Sequence, residues 1–148
     1  MRIYVDADAC PVKPEIYRVA QRYEVGVTLV AASFMRIPGD ANITLEVVAE
    51  GFDAADDWIA ARVGASDLVI TADIPLAARC VAAGARVLGP TGRPFTEENV
   101  GEALATRNLL AEMRGAGMET GGPAPFEPRD RSRFLQALDQ AVQALRRL

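Results

Sequence analysis

Apolar residues along the chain fall into two alternating rhythms, one of short continuous runs and one of helical spacing. Residues 2–5 form a short apolar run that stops at Asp6, the pattern of a buried strand. Over 14–24, Ile16, Val19, Ala20 and Tyr23 share one helical face, and Pro14 suits the first turn. Gly26 ends that helix, residues 27–32 give a second strand, and 33–42, with Pro38 and Gly39, read as a loop. Ile43, Leu45 and Val47 alternate with Thr44, Glu46 and Val48, which predicts a third strand. A helix over 53–63 stops at Gly64, and D-L-V-I-T over 67–71 is a buried strand. Asp73 caps a helix over 74–83, with Pro75 in its first turn and Gly84 at its end.

The pattern continues with a strand over 85–88 and a turn-rich loop over 89–94. Thr96 caps a helix reaching about residue 114, and Glu97 and Glu98 in its first turn favour the helix dipole. Residues 115–128 carry four glycines and three prolines, too many for regular structure. The last amphipathic helix covers about 130–147, with Phe134, Leu135, Leu138, Val142 and Leu145 inward. Strands alternating with helices define an α/β class. The expected fold is one domain over 1–148, a three-layer sandwich with a mostly parallel central sheet. The strands over 2–5 and 67–71 both read as fully buried, so they belong side by side at its centre.

Composition narrows the chemistry. The chain has 148 residues, half of them hydrophobic and 24% charged, which excludes a disordered polymer. No apolar run is long enough to span a membrane, and the first residues lack the basic start of a signal peptide. The expectation is a cytoplasmic protein with no membrane partner. Two cysteines, Cys10 and Cys80, do not make a disulfide framework. A net charge of −4 does not draw the chain to nucleic acid by bulk electrostatics. The absence of histidine excludes Ser-His-Asp and Cys-His catalysis. Carboxylates are left as the abundant reactive groups.

Asp6 and Asp8 lie two apart at a strand end, Asp56 and Asp57 occupy the first turn of a helix, and Asp73 follows a strand. If the strands over 2–5 and 67–71 are neighbours, these acids converge on one sheet edge. Converging carboxylates either raise a pKa or bind a cation, and an oxygen-only donor set suits Mg²⁺ or Mn²⁺. The competing reading makes Asp8 and Asp73 helix caps and Asp57 a dipole partner. Cys10, near a helix start, is read as structural and Cys80 as core. Lys13 at a helix start and Thr71 at a strand end are candidate substrate contacts. Arg129, Arg131 and Arg133 around Asp130 form the best local basic patch. The expectation is that 115–128 folds back and brings Arg129 or Arg131 to a bound phosphate.

The string D-A-D-A-C-P-V-K (6–13), with G-F-D-A-A-D (51–56), D-L-V-I-T-A-D-I-P-L-A (67–77) and G-G-P (121–123) followed by Asp130 and Arg131, resembles the YaiI/YqxD family of bacterial proteins. The likeness covers essentially the whole chain. That family is grouped with PIN-like nuclease domains, and D-D-W-I-A-A-R (56–62) followed by V-I-T-A-D (69–73) is similar to the PIN pattern of a helix-borne acid and a strand ending in T-x-D. The resemblance implies a PIN-like fold with Asp6, Asp56 and Asp73 as metal-binding acids and Asp8 and Asp57 as additions. Ile59 favours Asp56 over Asp57 in that spacing. Ala32 stands where some relatives carry a polar Asn. The implied activity is a metal-dependent nuclease or phosphodiesterase acting on RNA or another phosphate-bearing substrate. The alternatives are a haloacid-dehalogenase-like phosphatase using Asp6 and Asp8 of the D-x-D, and a non-catalytic binding module. No lysine follows Lys13 to serve the phosphatase.

Overall fold

The computed structural model describes residues 1–49, 53–117 and 125–148. The elements run β1 (Arg2–Asp6), α1 (Lys13–Tyr23), β2 (Gly26–Ala31), β3 (Ile43–Val47), α2 (Ala54–Ala60) and β4 (Leu68–Ile70). They continue with α3 (Ile74–Ala82), β5 (Arg86–Leu88), β6 (Pro94–Phe95), α4 (Glu97–Gly115) and α5 (Pro128–Arg146). The six strands form one sheet in the order β3-β2-β1-β4-β5-β6. The first five are parallel and β6 is antiparallel to β5. The expected central pair is present: Tyr4 of β1 stands opposite Val69 of β4.

Strand alternation sorts side chains into two cores, one on each face of the sheet. Ile3, Val5, Val27, Leu29, Leu68 and Ile70 meet Ile16 and Val19 of α1 and Phe134 and Leu138 of α5. On the opposite face Val30, Val69 and Val87 meet Ile59 of α2, Leu76, Ala77 and Cys80 of α3 and Val100 of α4. Helices on both faces of a mostly parallel sheet make the three-layer sandwich. No helix of the described residues is long and apolar enough to cross a membrane.

The structure departs from the pattern in several places, one being that α1 ends before Gly26, at a left-handed Glu24, and Gly26 opens β2. Strand β6, two residues long, is too short to show a period. It forms because the turn before it folds back, with the Gly89 N–H donating to the Arg93 carbonyl at 2.9 Å. Helix α2 ends at Ala60 rather than residue 63, and the Arg62 guanidinium satisfies its exposed end by donating to the Trp58 carbonyl at 2.9 Å. Helix α5 starts at Pro128, where Asp130 accepts the Glu127 N–H at 2.9 Å and so acts within the helix start. Of the segment expected to be irregular over 115–128, helix α4 takes residue 115 and α5 takes 128, while 118–124 lie outside the described residues, as does the G-G-P string.

Gly92 joins the β5–β6 turn to α5. Its φ is +88°, and a Cβ there would stand 2.8 Å from the Arg133 carbonyl oxygen. Gly92→Ala should therefore lower unfolding free energy by about 1–3 kcal/mol in urea denaturation. Gly39→Ala, with nothing within 4 Å of the added methyl, is the neutral control. Equal stability of the two variants would show that the turn and α5 do not press together.

Candidate carboxylate site at the strand switch point

The order in which strands are added to the sheet reverses between the parallel neighbours β1 and β4, since β1 leads outward to β2 and β3 while β4 leads to β5 on the other side. In open α/β sheets this crevice beyond the strand ends is where ligands bind. Asp6 ends β1, and Thr71, Ala72 and Asp73 follow β4. Thr71, only 2% exposed, ties the two together. Its hydroxyl donates to Asp6 Oδ2 at 2.9 Å and accepts the Asp73 N–H at 2.9 Å. Asp73 Oδ1 in turn accepts the Leu76 N–H at 2.9 Å and caps α3.

Asp8 sits in the turn after β1, where its Oδ2 accepts the Ala32 N–H at 3.0 Å. It therefore ties two loops together and is not a helix cap. The donor is a backbone group, so the contact does not require a polar side chain at position 32. Asp6, Asp8, Asp53, Asp56 and Asp73 line one cleft of about 210 Å³ with Ala32, Val48 and Ala54. A second hollow of about 190 Å³, lined by Cys10, Ile70 and Pro90, shares Asp6 and Asp73 as its wall.

Burial is the chief cause that raises the Asp6 carboxyl above the usual range, opposed by the Thr71 hydroxyl and reinforced by Asp73 and Asp8. Asp56 is pushed up to about 6, first by burial and then by Asp73, Asp6 and Asp53. The donors are all oxygens, a set that suits a hard divalent cation. Among the described residues no three such side chains already stand close enough to chelate an ion. Mutual repulsion of uncompensated carboxylates opposes closer approach.

The structure separates the two neighbouring acids of α2. Asp56 faces the cleft, whereas Asp57 lies outside its lining and pairs with Arg79 at 2.7 Å. Lys13 donates to the Cys10 carbonyl at 3.1 Å at the start of α1. The Thr71 hydroxyl is committed to Asp6 and Asp73. Arg131 donates to the Pro11 carbonyl at 2.8 Å and to Glu15 at 2.7 Å, fastening α5 to α1. Arg129 pairs with Glu127 at 2.6 Å beside a different cavity shared with Arg93 and Arg133. Neither Arg129 nor Arg131 lines the carboxylate cleft. Cys10 packs against the core, and burial pushes its thiol up, as suits a structural cysteine.

Asp53 is the cleft residue that sequence reasoning passed over. It precedes α2 in the left-handed region, at φ 65°, and its side chain does not cap the helix. Its place in G-F-D-A-A-D, three residues before Asp56, was the available signal. Residues 50–52 of that string lie outside the described residues.

Fold and site together define a doubly wound α/β domain with a carboxylate-lined crevice at its switch point. The profile described as "Uncharacterized BCR, YaiI/YqxD family" matches residues 4–144, and the chain belongs to that family. A UPF0178 protein of Nitrobacter winogradskyi is 58% identical over 147 residues, covering 99% of this chain and 94% of the relative. UPF0178 proteins of Rhodopseudomonas palustris (strain TIE-1) and Bradyrhizobium diazoefficiens are each 58% identical over 146 residues. They cover 99% of this chain and 92% and 87% of those relatives. No solved structure gives a significant match.

Two predictions follow from the geometry. In the unfolded chain Asp56 titrates near about 4, and in the fold near about 6. Between those values the native state holds the extra proton, so this residue makes stability fall as pH rises. Asp56→Asn should gain stability relative to wild type from pH 4 to pH 7 in thermal melts. Parallel curves would show that Asp56 ionises without penalty. Thr71→Val strands Asp6 Oδ2 and the Asp73 N–H and should cost about 1–3 kcal/mol in chemical denaturation. Thr71→Ser should recover most of that loss, and failure to do so would assign the effect to packing.

Proposed function

We propose that this protein is a divalent-metal-dependent phosphodiesterase acting on RNA or another nucleic acid, with a PIN-like arrangement of acids. The observation that supports this reading is the convergence of Asp6, Asp8, Asp53, Asp56 and Asp73 on one cleft at the switch point. Five carboxylates in so small a space are unfavourable unless protons or cations offset them. Among the described residues lining the cleft none is basic, so a substrate phosphate there has no side chain to neutralise it.

Asp6, Asp56 and Asp73 would hold Mg²⁺ or Mn²⁺. When bound, such an ion supplies Lewis acidity toward a phosphoryl oxygen and lowers the pKa of a water. Asp73 is fixed by its cap to α3 and Asp6 by the Thr71 hydroxyl, so both carboxylates are oriented in advance. The Asp8 carboxylate, held through one oxygen by Ala32, presents the other to position water. Asp56 must release its proton to act as a ligand, so cation affinity should weaken below about pH 6.

The test is Mn²⁺ calorimetry with Asp6→Asn and Asp73→Asn, together with hydrolysis of single-stranded RNA. Asparagine caps a helix as well as aspartate does, so Asp73→Asn removes charge and keeps the cap. Either change should weaken Mn²⁺ by at least the ~10–100-fold that losing an outer partner costs. Hydrolysis should fall with it, and apo stability should hold or rise. Unchanged Mn²⁺ affinity with lower stability would assign the acids to capping. A trapped aspartyl-phosphate on Asp6 would move the protein to the phosphatase class.

A further inference from the structure

Immediately after β2 the chain passes the cleft at Ala32 and then leaves its lining. Ala32 lines the cleft, and Phe34 follows two residues later, so its backbone lies within about 7 Å, the most that two residues of chain can span. Met35 and Ile37 turn inward and pack against the core of α1 and α5. Alternation then directs Phe34 and Arg36 outward, and both are exposed. Phe34 is 83% exposed, and no other aromatic residue among those described is in the exposed class. Arg36 makes no hydrogen bond or ion pair among the described residues.

The geometry points to Phe34 and Arg36 as a contact for single-stranded nucleic acid at the rim of the carboxylate cleft, with a base stacked on Phe34 and a backbone phosphate on Arg36. This rests on the phosphodiesterase reading for the identity of the strand, and deepens it by naming a single strand as the substrate class. The apolar surface is one ring between Ser33 and Arg36, because Met35 and Ile37 face the core. A patch of that size is far below what a protein interface buries, yet it matches the face of one nucleobase. Stacking of a base on an aromatic ring is tolerant of sequence and requires bases that are not already stacked in a duplex. Arg36 supplies the positive charge that the cleft lining lacks.

The test is fluorescence anisotropy of a labelled phosphorothioate oligothymidylate of about 12 nucleotides, in Mn²⁺, with Mn²⁺ calorimetry on each variant. Phe34→Ala should weaken strand binding about 5- to 100-fold, and Phe34→Leu should be as weak, since leucine is apolar but has no ring face. Phe34→Trp should bind at least as well as wild type. Arg36→Ala should reduce the salt slope of binding by about 0.7, the share of one phosphate contact on a single strand, whereas Phe34→Ala should leave that slope alone. Mn²⁺ affinity should be unmoved in all four. Wild-type binding by Phe34→Leu, or equal competition by a duplex, would overturn the assignment. So would a change of oligomeric mass in Phe34→Ala with strand binding intact. A wild type that binds Mn²⁺ and cleaves bis(p-nitrophenyl) phosphate, but binds no strand, would overturn this contact and leave the phosphodiesterase reading standing. Phe34-dependent strand binding without Mn²⁺ binding would do the reverse.

Discussion

A single buried hydroxyl holds the switch point together. Thr71 follows β4 and has almost no access to water, so its hydroxyl must find partners inside the protein. It donates to the carboxylate that ends β1 and accepts from the backbone of the residue that caps α3. One side chain thereby couples two central strands to the helix that follows. The positions of Asp6 and Asp73 are set before any ligand arrives. The hydroxyl also gives back to Asp6 part of what burial takes away, because a donated hydrogen bond favours the ionised form.

Around this link the fold concentrates negative charge where it is costly. Asp6 and Asp56 are both harder to ionise than a free carboxyl, from desolvation first and from neighbouring acids second. Such crowding persists only because the surrounding framework over-determines it. Two apolar cores clamp the sheet from either side. At the opposite end of the sheet Asp67 accepts the Arg2 and Gly64 N–H groups at 3.1 and 3.0 Å. On the α1–α5 face, Asp139 accepts from the Tyr23 hydroxyl at 2.8 Å and pairs with Arg22 at 3.4 Å. Neither of these acids lines the cleft, where Asp6 and Asp56 face other carboxylates.

The arginines divide in the same way. Arg131 and Arg79 neutralise acids outside the cleft and fasten helices in doing so: Arg131 joins α5 to α1, and Arg79 joins α3 to α2. Arg62 lies 3.8 Å from the Trp58 ring centroid, covering the exposed side of a half-buried aromatic. The cleft is left with acids alone. A phosphate-bearing ligand would meet no cationic side chain among the described residues that line the cleft.

Sequence by itself determined five of the six strands and the central pairing of β1 with β4, because burial on both faces leaves short apolar runs bounded by turn residues. The D-A-D and T-A-D endings marked Asp6 and Asp73, since acids placed directly after buried strands emerge at the same sheet edge once the strands are adjacent. The family likeness favoured Asp56 over Asp57 through the spacing to Ile59, while periodicity alone did not separate them. Tertiary packing decided it by giving Asp57 to Arg79 and aiming Asp56 at the cleft. Asp53 entered the site through a left-handed backbone conformation that no period reveals. The basic run at 129–133 looked like a phosphate clamp because local charge density carries no information about distant partners. Glu15 and the Pro11 carbonyl, more than a hundred residues away in the chain, occupy Arg131 instead. Local pattern fixes which way a residue points from its own element; only the approach of other elements fixes what it meets.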